Sequence, residues 1–141
     1  MKKGLLLALA LPLFLFTSCE KDDQKPNCET TMASLAGTYK ITAADYKLTA
    51  NAPAQNVLTQ MFEPCQLDDT QTIEANGTWT YTDAGVQCGG NQTGTWSLSG
   101  NTFTIGGETG TIVSYDCKTL VVTRNSTVVT GDILTITFTK Q

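Results

Sequence analysis

The chain predicts an all-β protein: an eight-stranded, up-and-down antiparallel β-barrel with one short helix between its first two strands. Three observations predict it. Threonine, aromatic and β-branched residues are abundant, while charged residues make up only 16% of the 141, a balance that suits pleated, half-buried strands. Apolar and polar residues alternate with a period of two in segment after segment from Gly37 onward, so each segment buries one face and wets the other. Short turns carrying Gly or Asn join the segments, and a meander of eight strands hides its edges by closing on itself.

The first strand covers residues 37–48, where Tyr39 and Ile41 alternate with Thr38, Lys40 and Thr42. Ala43-Ala44-Asp45 reads as a bulge or bend, after which Tyr46 and Leu48 resume the alternation until Asn51-Ala52-Pro53 breaks it. Val57, Leu58, Met61 and Phe62 then fall on one face of a helix of about two turns, which Pro64 ends. Asn56 is its expected cap. So short a helix does not stand alone, and its apolar face must rest on the barrel.

Residues 70–75 and 78–83 form the next hairpin around a two-residue Asn76-Gly77 turn, with Trp79 and Tyr81 on one face. A glycine-rich loop, Cys88-Gly89-Gly90-Asn91, leads to a strand at 94–98, with Trp96 and Leu98 inward. Gly100-Asn101 turns the chain into 102–105, with Phe103 and Ile105 inward, and Gly106-Gly107 and Gly110 set the next corner. Strands at 111–115 and 120–124 are joined through Asp116-Cys117-Lys118. Residues 133–140 close the chain, with Leu134, Ile136 and Phe138 alternating with Thr135, Thr137 and Thr139.

The N-terminal residues read as an address. Lys2 and Lys3 precede an apolar run, residues 5–16, that is too short to span a bilayer. Thr17 and Ser18 then stand before Cys19. This pattern resembles the lipobox of bacterial lipoproteins. The resemblance implies a signal peptide at 1–18, cleavage before Cys19, and acyl chains on the Cys19 thiol and amine. Each buried CH₂ contributes about 0.8 kcal/mol, so two or more chains hold a protein stably at a membrane. Residues 19–34 read as the lipidated cysteine and a polar, flexible tether, and 35–141 as the barrel domain. Lys21-Asp22-Asp23 resembles the acidic signal that follows the lipidated cysteine in surface-exposed lipoproteins of Bacteroidetes-type bacteria. The expected location is the outer membrane of a Gram-negative bacterium, lipid-anchored, with surface exposure one of two outcomes.

Composition excludes several function classes. The net charge is −4, and without Lys2 and Lys3 the seven basic and thirteen acidic residues leave −6. An acidic chain with no basic block is a poor partner for nucleic acid or for an anionic membrane surface. There is no histidine, so Ser-His-Asp and Cys-His catalysis and imidazole metal sites are closed to it. The sequence nominates no catalytic residue, no metal ligand and no cofactor, and it names no protein partner.

A second resemblance covers residues 35–141. Gly37-Thr38-Tyr39 opens the first strand where lipocalins have Gly-x-Trp; Cys65-x-x-Asp68-Asp69 precedes the second strand. Asn76-Gly77, Cys88, Gly94-Thr95-Trp96 with Leu98, and a threonine-rich last strand follow in order. The chain is similar to the lipocalin-like lipoproteins of Bacteroidetes-type bacteria. That similarity implies an eight-stranded barrel with a helix or lid after the first strand.

The cysteines bear on both readings. With Cys19 acylated, Cys28, Cys65, Cys88 and Cys117 remain, enough for two disulfides in an oxidising compartment. Four cysteines allow three pairings. The hairpin turning at Asn76-Gly77 brings residues before its first strand near residues after its second, which favours Cys65–Cys88 and leaves Cys28–Cys117; the other two pairings stay open.

Two features are weighed as sites. Asp68-Asp69, with Glu63 and Glu74 near in sequence, lacks the ligand spacing of a calcium loop and reads as a polar lead into the second strand. Tyr39, Met61, Phe62, Trp79, Tyr81, Trp96 and Phe103 are candidate ligand-binding residues. An eight-stranded barrel either fills its interior with such side chains or holds one small ligand among them. The leading expectation is a pocket for a small apolar ligand under a lid at residues 57–62, with Tyr and Thr hydroxyls orienting it. The alternative is a filled barrel that uses its loops against a protein or glycan, as an inhibitor or an envelope-complex subunit. Asn76-Gly77-Thr78, Asn91-Gln92-Thr93 and Asn125-Ser126-Thr127 match the glycosylation acceptor pattern but read as turn residues.

Overall fold

The computed structural model describes residues 28–125 and 128–141. The expected signal peptide, Cys19, the Lys21-Asp22-Asp23 motif and the tether as far as residue 27 lie outside the described residues, as do Ser126 and Thr127.

Among the described residues nine strands form one sheet, in which all but β2 close into a ring: β1 (Gly37–Lys47), β2 (Gln55–Asn56), β3 (Thr70–Ile73), β4 (Thr78–Thr82), β5 (Gln92–Ser99), β6 (Thr102–Ile105), β7 (Glu108–Tyr115), β8 (Thr119–Asn125) and β9 (Ile133–Lys140). Each of β3 to β8 pairs antiparallel with its successor, and β1 pairs with both β3 and β9, closing the barrel. The eight strands read from alternation are all present. The ninth, β2, is two exposed residues laid against Asp45 and Tyr46 of β1, too short to leave a period in the sequence.

Five local expectations are corrected. The helix after β1 is one turn, α2 (Leu58–Met61), not two, followed by a 3₁₀ turn at Pro64–Gln66. Asn56 does reach its first turn, its Oδ1 accepting from the Leu58 N–H at 3.2 Å, but Val57 occupies the cap position. The β3–β4 connection is a three-residue loop, not a two-residue turn. The Gly77 N–H donates to the Glu74 carbonyl at 3.0 Å, and Gly77 takes a positive φ of 91°, the type I turn plus left-handed glycine of a three-residue hairpin. Gly110 is not a corner but lies inside β7, where a Cβ would stand 2.5 Å from Val122 Cγ1; bare backbone makes room for the neighbouring strand's side chain. The bulge in β1 falls at Thr42, between Ile41 and Ala43, one residue before the expected place.

Residues 28–34, expected as the end of a tether, are built into one end of the barrel. Thr31 and Ser34 form a reciprocal capping box around α1 (Met32–Leu35). Leu35 is completely buried. The Tyr39 hydroxyl donates to the Leu35 carbonyl at 2.5 Å and the Tyr115 hydroxyl to the Ser34 carbonyl at 2.6 Å. Cys28 is disulfide-bonded to Cys117 in the β7–β8 turn, with 5.3 Å between Cα atoms. This is the closed end. The opposite end, where β1, β4, β6 and β8 finish, is the open one, and a second disulfide, Cys65–Cys88, crosses it with 6.0 Å between Cα atoms.

The ring is uneven in a way that shapes the site. β1 pairs with β9 along nearly its whole length, but with β3 only over Gly37–Ile73, Thr38–Thr72 and Tyr39–Gln71. Beyond Tyr39 the two strands part. Phe62, at the end of α2, and Gln66, in the 3₁₀ turn, line the split from the chain between β1 and β3.

Candidate functional site

The closed half of the interior is solid. Tyr39, Ile73, Trp96, Phe103, Ile112, Tyr115, Leu120 and Phe138 belong to one buried cluster beneath Leu35. The Trp96 and Phe103 rings meet at 5.8 Å between centroids, and the Trp96 indole N–H donates to the Glu74 carbonyl at 2.7 Å. The space left among Tyr39, Gln71, Phe103 and Phe138 is about 10 Å³, no more than one water needs. Three of the seven sequence-nominated residues, Tyr39, Trp96 and Phe103, are therefore packed core here.

Phe62, Trp79 and Tyr81 come together elsewhere. With Ile41, Gln66, Gln71 and Gln92 they line a cleft of about 230 Å³ at the open end, in the split between β1 and β3. Gln71 is its floor, since the same side chain lines the small void below. The Trp79 indole lies flat on backbone that carries no side chain: a Cβ on Gly94 would stand 3.0 Å from its ring and one on Gly106 2.9 Å. Its N–H donates to Gln71 Oε1 at 3.3 Å. Met61 is 43% exposed and faces a broader outer hollow of about 440 Å³. Phe62 and Gln66 line both hollows, so this segment is the partition between cleft and solvent.

The Tyr81 hydroxyl proton is already committed and is not free to orient a ligand. It donates to the carboxylate of Asp69, which also accepts the Ala84 N–H at 2.8 Å. Burial, this bond and the nearby charges of Asp83 and Asp68 push the Tyr81 phenol above the ordinary tyrosine range. Sequence reasoning missed Asp83. This 5% exposed carboxylate gathers the glycine-rich loop by accepting from the N–H groups of Cys88 at 3.1 Å, of Gly89 at 2.9 Å, and of Gly90. Those bonds, from Gly89 and Gly90 first, hold its carboxyl below the usual range. Three glycine-loop amides following an Asp at the end of a strand are the signal that would have found it. Asp69, Asp83 and Cys88 do converge, but Cys88 is in a disulfide and the two carboxylates are engaged by these donors. The donor set does not fit a resident metal. The polar groups that face the cleft are the amides of Gln66, Gln71 and Gln92, each able to donate and accept.

A closed antiparallel ring with one filled end and one cleft-bearing end is a β-barrel of the ligand-binding kind. A family model, the lipocalin-like domain, matches residues 35–136, most of the chain. The chain belongs to the lipocalin-like domain family, whose fold generally binds rather than catalyses. No curated protein and no solved structure matches it.

Proposed function

We propose that this protein is a lipid-anchored envelope lipoprotein whose barrel binds one small, flat, largely apolar ligand at its open end. The observation that carries the reading is the cleft between Phe62, Trp79, Tyr81 and Ile41 over Gln71. At about 230 Å³ it lies below the roughly 300–1,000 Å³ of drug-sized pockets, so the ligand is small. Two aromatic faces favour a planar body, and the glutamine amides favour a carbonyl, hydroxyl or ring N–H on it. Lys2, Lys3, the apolar run and Cys19 support anchoring by acyl chains at the outer membrane. The Cys28–Cys117 bond would then turn the closed end toward the anchor and the cleft away from it.

Native mass spectrometry of the purified protein, repeated after denaturation, tests this. A stoichiometric mass that leaves on unfolding, with a polypeptide mass shifted by acyl chains from Cys19, is the expected result. A bare protein that also rejects a panel of small planar molecules sinks the ligand reading; an unacylated Cys19 sinks the anchor.

One observation favours a second reading, an interaction module. Leu48, Met61, Val86, Val128 and Val129 are exposed large apolar side chains, and all belong to segments at the open end. A rim of this kind suits a protein partner. Cross-linking in cells from residues on this rim, against residues of the closed end, separates the two.

A further inference from the structure

A second opening lies across the barrel from the cleft. β7 and β8 pair only from Thr111–Thr123 to Tyr115–Leu120. Yet β7 starts at Glu108 and β8 runs on to Asn125, so residues 108–110 and 124–125 lie outside that ladder. A groove of about 340 Å³ sits on the outer side of this stretch, with Thr102, Thr111, Thr123 and Asn125 in its wall. On the inner side an apolar space of about 60 Å³ is lined by Phe103, Ile105, Val122, Ile136 and Phe138. Thr109, Gly110 and Arg124 line both. The two spaces meet at one arginine.

Arg124 is incompletely satisfied there. Its Nη1 donates to Glu108 Oε2 at 2.5 Å, but the Glu108 side chain is 73% exposed, and a pair so open to water holds weakly. Its Nε is buried and has no hydrogen-bond partner among the described residues. A buried donor on a charged group left without an acceptor is costly. A guanidinium matches a carboxylate with two parallel bonds.

We propose that this gap is an anion site, in which Arg124 takes the carboxylate of a short-chain monocarboxylic acid and the apolar space behind it takes the chain. The ligand's carboxylate replaces that of Glu108 and reaches the orphaned Nε–H. At about 10–15 Å³ for each water, the inner space of about 60 Å³ is that of about four to six waters, so it fits a chain of few carbons, and its Ile, Val and Phe walls suit a branched one. None of the residues lining this site lines the mouth cleft, so the proposal stands apart from the ligand reading above.

The test is an NMR titration of the purified protein with 3-methylbutanoate, beside its neutral isostere 3-methylbutanamide. The acid should shift the Arg124 Nε–H and the methyls of Ile105 and Val122 saturably, while the amide leaves them in place. Arg124→Gln should weaken binding at least about tenfold. Glu108→Gln, which removes the internal competitor without touching the proposed donor, should tighten it about threefold. No saturable shift in either the parent protein or Glu108→Gln overturns the proposal. So does equal binding of the amide, or binding that survives Arg124→Gln. Shifts confined to the Trp79 indole would also overturn it, because they place the acid in the mouth cleft.

Discussion

The ammonium of Lys140 stands 5.6 Å from the centre of the Tyr39 ring. It also lies 5.9 Å from the Tyr115 ring and donates to the Ser34 carbonyl at 3.0 Å. One cation from the last strand thus ties together the first strand, the β7–β8 corner and α1. Gly37 makes room for it: a Cβ there would stand 2.3 Å from Lys140 Cε. Lys140→Met, which keeps the stem and removes the charge, should lower stability by about 1 kcal/mol. Lys140→Arg should restore most of it. Denaturant midpoints measure both, and an unchanged midpoint in Lys140→Met would show that the cation contributes nothing.

The two disulfides should differ in weight. Cys28–Cys117 closes a separation of 89 residues and Cys65–Cys88 one of 23. In the chain-entropy account, such loops give about 4.6 and about 3.4 kcal/mol respectively. Removing Cys28 and Cys117 together by serine should therefore cost more than removing Cys65 and Cys88. It should also raise amide exchange through α1, because the capping segment loses its covalent tie. Equal exchange in the two double variants would mean that hydrogen bonds alone hold the closed end.

Gly94→Ala tests how the cleft wall is built. Its backbone is ordinary for a strand, so the substitution acts only by contact with the Trp79 ring at 3.0 Å. Overpacking of this kind costs about 1–3 kcal/mol. The Trp79 indole N–H resonance, which reports the bond to Gln71, should move, while that of Trp96, bonded to Glu74, should stay. A stationary Trp79 resonance would show that the neighbouring backbone, not the ring, gives way.

Stability should fall at both ends of the pH scale for nameable reasons. Asp83 is held below the ordinary carboxylate range by loop amides. Its contribution is present above about pH 3.9, the unfolded value, and is lost as pH falls through the lower folded value. Asp83→Asn should remove that part of the acid sensitivity and loosen the glycine-rich loop.

At the alkaline end the sign reverses. Burial beside Tyr115 raises Tyr39, the bond to Asp132 raises Tyr46, and burial with the bond to Asp69 raises Tyr81. Stability from these phenols is whole below about pH 10 and declines above it. Ultraviolet titration should show these tyrosines ionising only as the protein unfolds. Ionisation well before unfolding would contradict the buried hydrogen bonds.

Much of the fold was legible because alternation is a local property. Phe103 and Ile105, or Leu134, Ile136 and Phe138, announce one face of a strand without reference to any partner. Gly110 misled because a glycine marks either a corner or a close approach, and only Val122 on the next strand tells which. The closed end was missed at residues 28–34 because Met32 and Leu35 are two apolar residues in a polar stretch. What orders them is a capping box, a disulfide and three hydrogen bonds to the carbonyls of Ser34 and Leu35, two of them from distant strands.

The sequence by itself determined that the strands close into a barrel and which side chains face inward. A period of two specifies a face, and closure is the way a meander of half-wet strands loses its edges. Depth along the barrel axis was decided only by the tertiary structure. Trp79 and Trp96 follow the same alternation, yet one lines the cleft and the other is sealed in the core. The difference arises because β1 leaves β3 after Tyr39. In the same way, alternation puts Arg124 on the face of Leu120 and Val122, but nothing local says that it is short of an acceptor. That follows from where the β7–β8 ladder stops.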